Sequence, residues 1–181
     1  LTDLYTEYRA QRPTVSMSEQ DWTLPEPTVD TYTDAIMDEA KSFSDTAVLV
    51  IGRSGGENAD LPTDMNAVIK GTYDLASKVA SLPDNFTYTN SSYTNNGSYD
   101  DFEPGESYLE LSKTEEDLVE KVCSEFDQVI VVINANNAME LGWVEEYDQI
   151  GAVILAPGTG ITGFAALGEI INGTVNPSGR T

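Results

Sequence analysis

Three stretches of the chain are apolar without alternation: Ala47-Val48-Leu49-Val50-Ile51, Val129-Ile130-Val131-Val132-Ile133, and Ala152-Val153-Ile154-Leu155 with Ile150 just before it. Successive residues of a strand face opposite sides of a sheet. An unbroken apolar run therefore predicts a strand covered on both faces, as in a parallel sheet between helices. Helical periods stand beside these runs. From Thr28 onward Val29, Tyr32, Ile36 and Ala40 recur at spacings of three and four, with Thr28 or Asp30 as N-cap. Ser112 and Glu115 fit a capping box opening a helix over 114–126, with Leu118, Val122 and Phe126 along one face. A shorter helix is predicted over 139–147, and a last one over 161–171 that closes at Asn172-Gly173 in the manner of a C-cap. Alternating strands and helices predict an α/β fold: a three-layer α/β/α sandwich with a mostly parallel sheet, flavodoxin-like.

The pattern is weakest at the start and in the middle. Residues 1–27 mix Tyr5, Tyr8 and Trp22 with polar residues, show no sustained period, and end at Pro25-Glu26-Pro27. They are read as an arm or linker packed on a domain spanning 28–181. The segment 85–99 is rich in Asn, Ser, Thr and Tyr without a hydrophobic period, which predicts a long surface loop. Its sequons at Asn85, Asn90 and Asn96, with a fourth at Asn172, and Tyr88, Tyr93 and Tyr99 as surfaces for stacking a sugar, are its candidate functions.

Composition narrows the chemistry. The 181 residues are 40% hydrophobic, enough for one buried core, and carry 31 Asp plus Glu against 9 Lys plus Arg, a formal net charge of −22. Such a surface repels a polyanion and offers no basic stripe, so no nucleic-acid partner is expected. Histidine is absent, which removes Ser-His-Asp and Cys-His catalysis and leaves acid/base work to Asp, Glu, Tyr or Lys. No cofactor and no metal are expected. The single cysteine, Cys123, falls inside the 114–126 helix and is read as a small core residue. Neither an apolar run of about 18 residues nor a signal-like start is present, so no membrane partner is expected, and the protein is read as soluble, cytoplasmic or secreted. The chain starts at Leu1 without Met and is read as a piece of a larger protein.

In an open parallel sheet, ligands gather outside the carboxyl ends of the strands. Three segments fall there. Gly52-Arg53-Ser54-Gly55-Gly56-Glu57-Asn58-Ala59-Asp60 combines a close-approaching backbone with two carboxylates. It lacks the Lys of a phosphate-binding P-loop and the spacing of a dinucleotide fingerprint. Asn134-Ala135-Asn136-Asn137 offers amides for a polar ligand or for turns and caps, and Ala156-Pro157-Gly158-Thr159-Gly160 leads into a helix N-terminus as a generic anion site or a tight packing point.

These segments, in order, resemble the second domain of glycoside hydrolase family 3, the β-glucosidase and β-xylosidase family. The resemblance is carried by Ala40-Lys41 through Asp45 before the first strand, Gly52, Arg53, Gly56, Glu57 and Asp60 after it, and Leu109-Glu110-Leu111-Ser112. It continues through Glu140-Leu141-Gly142-Trp143, Pro157-Gly158-Thr159-Gly160 and the close at Asn176-Pro177-Ser178-Gly179. The family loop often reads Ser-Gly-Glu-Gly, where this chain has Gly55-Gly56-Glu57-Asn58. The resemblance implies a retaining β-glycosidase in which a (β/α) barrel of the same enzyme carries the Asp nucleophile and Glu57 is the general acid/base. The implied substrates are β-linked oligosaccharides or aryl glycosides. Arg53, Asn58 and Asp60 are the substrate-binding candidates beside Glu57. Arg53 would orient a carboxylate or sugar hydroxyl and Asp60 would pin the loop, with a structural ion pair as the alternative for either. On this reading the isolated chain folds but does not hydrolyse glycosides. A non-catalytic carbohydrate-binding or interaction module of the same fold is the competing reading.

Overall fold

A computed structural model of the protein describes residues 2–12, 14–15, 20–24, 26–55, 60–74, 91–94, 100–160, 162–177 and 179. The three apolar runs are strands: β1 (Thr46–Gly52), β2 (Gln128–Asn134) and β3 (Ile150–Leu155). They form one parallel sheet in the order β1-β2-β3, with Val48 opposite Ile130 and Val132 opposite Ile154. With helices packed on this all-parallel open sheet, the chain is an α/β sandwich.

Both connections step the same way across the sheet. Right-handed crossovers therefore place their helices on one common face. The core shows this: Leu49, Ile51, Val129, Val131 and Ile133 pack with Leu118, Val119 and Cys123 of α4 (Lys113–Glu125) and Met37 of α2 (Asp34–Phe43). Trp143 and Tyr147, in and just after a 3₁₀ turn at Gly142–Glu146, pack on the same cluster. Cys123 is buried, as expected of a small core residue, and burial pushes its thiol pKa up. The opposite face is closed at Val132, which is 0% exposed, but open along β1, where Val48 and Val50 are 46% and 51% exposed. The expected two-sided cover thus holds at the centre of β2 and not along β1, because neither connection crosses the second face.

Local chemistry fixes the helix ends. Ser112 Oγ accepts from the Glu115 N–H while Glu115 accepts from the Ser112 N–H, completing the expected capping box of α4. The period read from Thr28 is broken in two. A 3₁₀ turn covers Val29–Thr31, and α2 begins after Thr33, whose hydroxyl accepts from the Ile36 N–H, so Thr33 replaces Thr28 or Asp30 as the cap. The predicted 139–147 helix is the 3₁₀ turn alone, and the predicted 161–171 helix is a 3₁₀ turn (Gly163–Ala166) followed by α5 (Leu167–Ile171), with Gly173 at φ +76° just beyond it.

Two helices carry no strong periodic signal. The first, α1 (Thr2–Gln11), buries none of its residues; the other, α3 (Met65–Ile69), is capped by Asp64, which accepts from the Ala67 N–H. Met65 and Val68 of α3 join Trp22, Leu24, Tyr93, Phe102 and Tyr108 in a second core cluster. The arm contributes Trp22, wholly buried with its ring edge-on to Tyr108 at 4.8 Å. No helix among the described residues is long and apolar enough to cross a membrane.

Candidate functional site

The three loops expected at the carboxyl edge are joined by backbone hydrogen bonds, and asparagine side chains of the central loop lie against the glycines of the other two. The ladder runs on past the strands, with Arg53 N–H donating to Asn134 O and Ala156 N–H to Ile133 O. Beyond it, two neighbouring asparagines of the central loop reach in opposite directions. A methyl group added at Gly158 would stand 2.7 Å from Asn136 Oδ1, and one added at Gly55 would stand 2.6 Å from Asn137 Nδ2. Glycine at both places leaves room for these amides, and at Gly158 the φ of +44° favours glycine in addition.

Arg53 anchors the foot of the first loop. Its Nε donates to Tyr108 O (2.8 Å), Nη1 to Gly52 O (2.8 Å) and Glu115 Oε1 (2.5 Å), and Nη2 to Glu110 O (2.7 Å) and Glu115 Oε2 (2.6 Å). A guanidinium has five N–H groups, and all five are accepted by the protein. The Arg53 and Glu115 side chains are 0% and 2% exposed. Burial works against the Arg53 charge, but the charge and hydrogen bonds of Glu115 outweigh it and hold the guanidinium protonated. Of the two roles open to Arg53, the structure displays the ion pair and leaves no N–H for a sugar hydroxyl.

Glu115 therefore serves twice, as cap of α4 and as counter-ion of Arg53. This ties the first turn of α4 to the start of the loop after β1. Close by, burial first, and then the Glu115 charge, push the carboxyl of Glu26 on the arm up to about 7, against the opposing guanidinium groups of Arg53 and Arg12. A second buried carboxylate secures the same first turn of α4. Asp101, 2% exposed, accepts from the Thr114 N–H and hydroxyl and from the Tyr93 hydroxyl at 2.8 Å. Tyr93, offered above as a sugar-stacking surface, is 9% exposed and packs on Phe102 within the second core. It is a core residue, and burial, with the charge of Asp101 behind it, pushes its hydroxyl pKa strongly up.

Glu57 and Asn58 lie outside the described residues, as do Tyr88 and Tyr99. Asp60 is exposed and has no hydrogen-bond or ion-pair partner among the described residues. The motifs at Leu109–Ser112 and Glu140–Trp143 meet in space, with Glu140 N–H donating to Leu109 O. Between them lies a cleft of about 270 Å³ lined by Glu106, Glu110, Glu116, Glu140, Glu146 and Trp143, among others. Burial raises the pKa of Glu116 there, while Lys113 works in the opposite direction.

The partnership of Arg53 with Glu115 leaves no local mark in the sequence. The separation of 62 positions hid it. The apposition of Asn137 with Gly55 left a trace in sequence only as an asparagine-rich turn facing a glycine-rich one.

The family model for the glycosyl hydrolase family 3 C-terminal domain matches residues 6–181. The chain is 28% identical over 150 residues to Beta-glucosidase A of Butyrivibrio fibrisolvens, an alignment covering 80% of this chain and 15% of that protein. It is 22% identical over 147 residues to Beta-glucosidase of Ruminococcus albus, covering 81% of this chain and 11% of that protein. The chain thus spans a small fraction of the length of these relatives.

Proposed function

The chain belongs to glycosyl hydrolase family 3, as its C-terminal domain, and from that membership we propose that it supplies Glu57 as the general acid/base of a retaining β-glucosidase. The nucleophile would come from a (β/α) barrel of the same enzyme. In such a reaction one carboxylate attacks the anomeric carbon while the other protonates the leaving oxygen, the two lying about 5–5.5 Å apart. After departure of the aglycone, the same acid, now ionised, activates the water that releases the sugar. Glu57 needs a raised pKa for the first step, and closure of the barrel over the loop would provide it by desolvation. Asn58 and Asp60 would bind substrate beside it.

The observation that carries this reading is the anchoring of the loop. Glu57 follows by four residues an arginine whose every donor is bound within the protein, at the carboxyl edge of a parallel sheet, where ligands of such folds collect. A catalytic carboxylate must be placed within a fraction of an ångström, and a fixed loop foot serves that need. Arg53 is assigned here as a positioning residue.

The test is Glu57→Ala in the full-length enzyme, assayed on aryl β-glucosides of graded leaving-group ability. Substrates with poor leaving groups should slow by about 10²–10⁴-fold, the usual contribution of a general acid. Activated aryl glucosides should slow far less, and azide should restore turnover. Equal loss across the series would remove Glu57 from this role. The isolated 181-residue chain should show no turnover, and robust hydrolysis by it would sink the shared-site reading. Saccharide binding by a full-length protein that hydrolyses nothing would instead favour the binding-module reading.

A further inference from the structure

Asn137 Nδ2 is buried and has no hydrogen-bond partner among the described residues. A buried donor left unpaired costs free energy, and native proteins keep few of them. This one lies against Gly55, two residues before Glu57 in sequence, and Gly55 is small enough to let the amide approach: a methyl there would stand 2.6 Å from the nitrogen. The neighbouring Asn136 is apposed to Gly158 in the loop after β3, so the orphan sits where three loops converge beyond the carboxyl ends of the strands.

We propose that Asn137 is a substrate-binding residue whose side-chain amide donates a hydrogen bond to a hydroxyl oxygen of the β-glycoside bound at this edge. The chemistry selects the class of acceptor. Nδ2 donates only, so its partner must be an acceptor. A neutral hydroxyl suits a chain of net charge −22 better than an anionic ligand, which that field repels. The Glu57 carboxylate is a poor alternative, because a donor to its ionised form would lower its pKa and work against an acid that must hold its proton. Asn137 thus completes what Arg53, fully committed to the protein, does not offer: a donor at the loop that is buried and unpaired in the ligand-free chain.

The inference rests on the placement of the reaction at this loop, and the experiment separates the two. In the full-length enzyme, wild type and Asn137→Ala are compared on p-nitrophenyl β-glucoside and its 2-, 3-, 4- and 6-deoxy analogues. Wild type should lose about tenfold or more in kcat/KM on one analogue, the scale of one hydrogen bond with its partner left unpaired. Asn137→Ala should lose a similar factor on the parent substrate and nothing further on that analogue. Deoxy penalties that persist unchanged in Asn137→Ala would overturn the proposal, whether or not activity falls. The melting temperature of the ligand-free enzyme should not fall in Asn137→Ala, since no bond is lost. A marked fall in both Asn137→Ala and Asn137→Ser would show that the amide is already paired, and would overturn it too. Failure of Glu57 in the leaving-group test, with the deoxy cycle intact, would leave the subsite standing without its acid.

Discussion

Replacing Glu115 by Gln removes one charge from a pair that is almost wholly buried and changes little else in volume. The Glu115 carboxylate accepts three hydrogen bonds, two from Arg53 and one from the Ser112 N–H. With Gln the amide nitrogen must face a donor, either a guanidinium N–H or the cap N–H, and the Arg53 charge loses its buried counter-ion. Breaking a buried pair from one side costs about 3–5 kcal/mol. In urea, with a slope of about 2 kcal/mol/M, the midpoint should fall by roughly 1.5–2.5 M at unchanged slope. Fluorescence of Trp22, which packs on Tyr108 beside Arg53, reports the transition. The double variant Arg53→Met with Glu115→Leu separates the charge from the scaffold. It removes both charges, so the ionic part should return. The carbonyls of Gly52, Tyr108 and Glu110 would lose their donor and the Ser112 N–H its side-chain acceptor, at roughly 1 kcal/mol each. The double variant should therefore recover only part of the loss. A cost below about 1 kcal/mol for Glu115→Gln would refute the reasoning, because a pair that cheap is solvated.

Two further outcomes are expected. Glu26 has a folded pKa of about 7 against an ordinary 4.5, so the native state holds its proton more tightly than the unfolded chain. Stability from this group is greatest below about 4.5 and is lost as pH rises to about 7, a change of up to about 3 kcal/mol. Denaturation curves of Glu26→Gln should lack this slope and show the variant more stable than wild type at pH 8; a slope identical to wild type would exclude Glu26 as its source. Gly158→Ala should cost more than Gly71→Ala in the same assay. Both positions have positive φ, worth about 1–2 kcal/mol, but only Gly158 has a side chain, Asn136, in the way. Equal costs would mean that Asn136 yields freely.

The strands were legible because fourteen apolar residues in three unbroken runs have few other solutions, and each strand matched its run to within a residue or two. The capping box at Ser112 and Glu115 was legible for a similar reason, since its partners are three residues apart and the geometry is local. What failed were inferences about who covers what. Tyr93 stands in a polar, tyrosine-rich stretch that reads as surface, yet Asp101 and Phe102 draw it into the core. Val48 and Val50 are as apolar as Leu49 and Ile51, yet they are half exposed, because burial depends on which way the crossovers turn and no residue of β1 encodes that. Within the candidate site the sequence marked the loop but not its mechanics, since the partner of Arg53 lies 62 residues away.

That separation has a consequence for how the loop can work. An arginine next to a glycine-rich, carboxylate-bearing turn invites the reading that it binds substrate, and its chemistry permits this only while some N–H remains free. Here five acceptors from four residues, Gly52, Tyr108, Glu110 and Glu115, consume the whole guanidinium. If the proposed site binds a glycoside, recognition falls to groups the fold has left unpaired. Among the described residues at this edge, the Asn137 amide is the buried donor in that condition. On the proposed reading, rigidity and recognition are divided between different side chains. A substitution at Arg53 should act through the placement of the whole loop and lower kcat on every glycoside alike, whereas one at Asn137 should discriminate among sugars according to which hydroxyl they present.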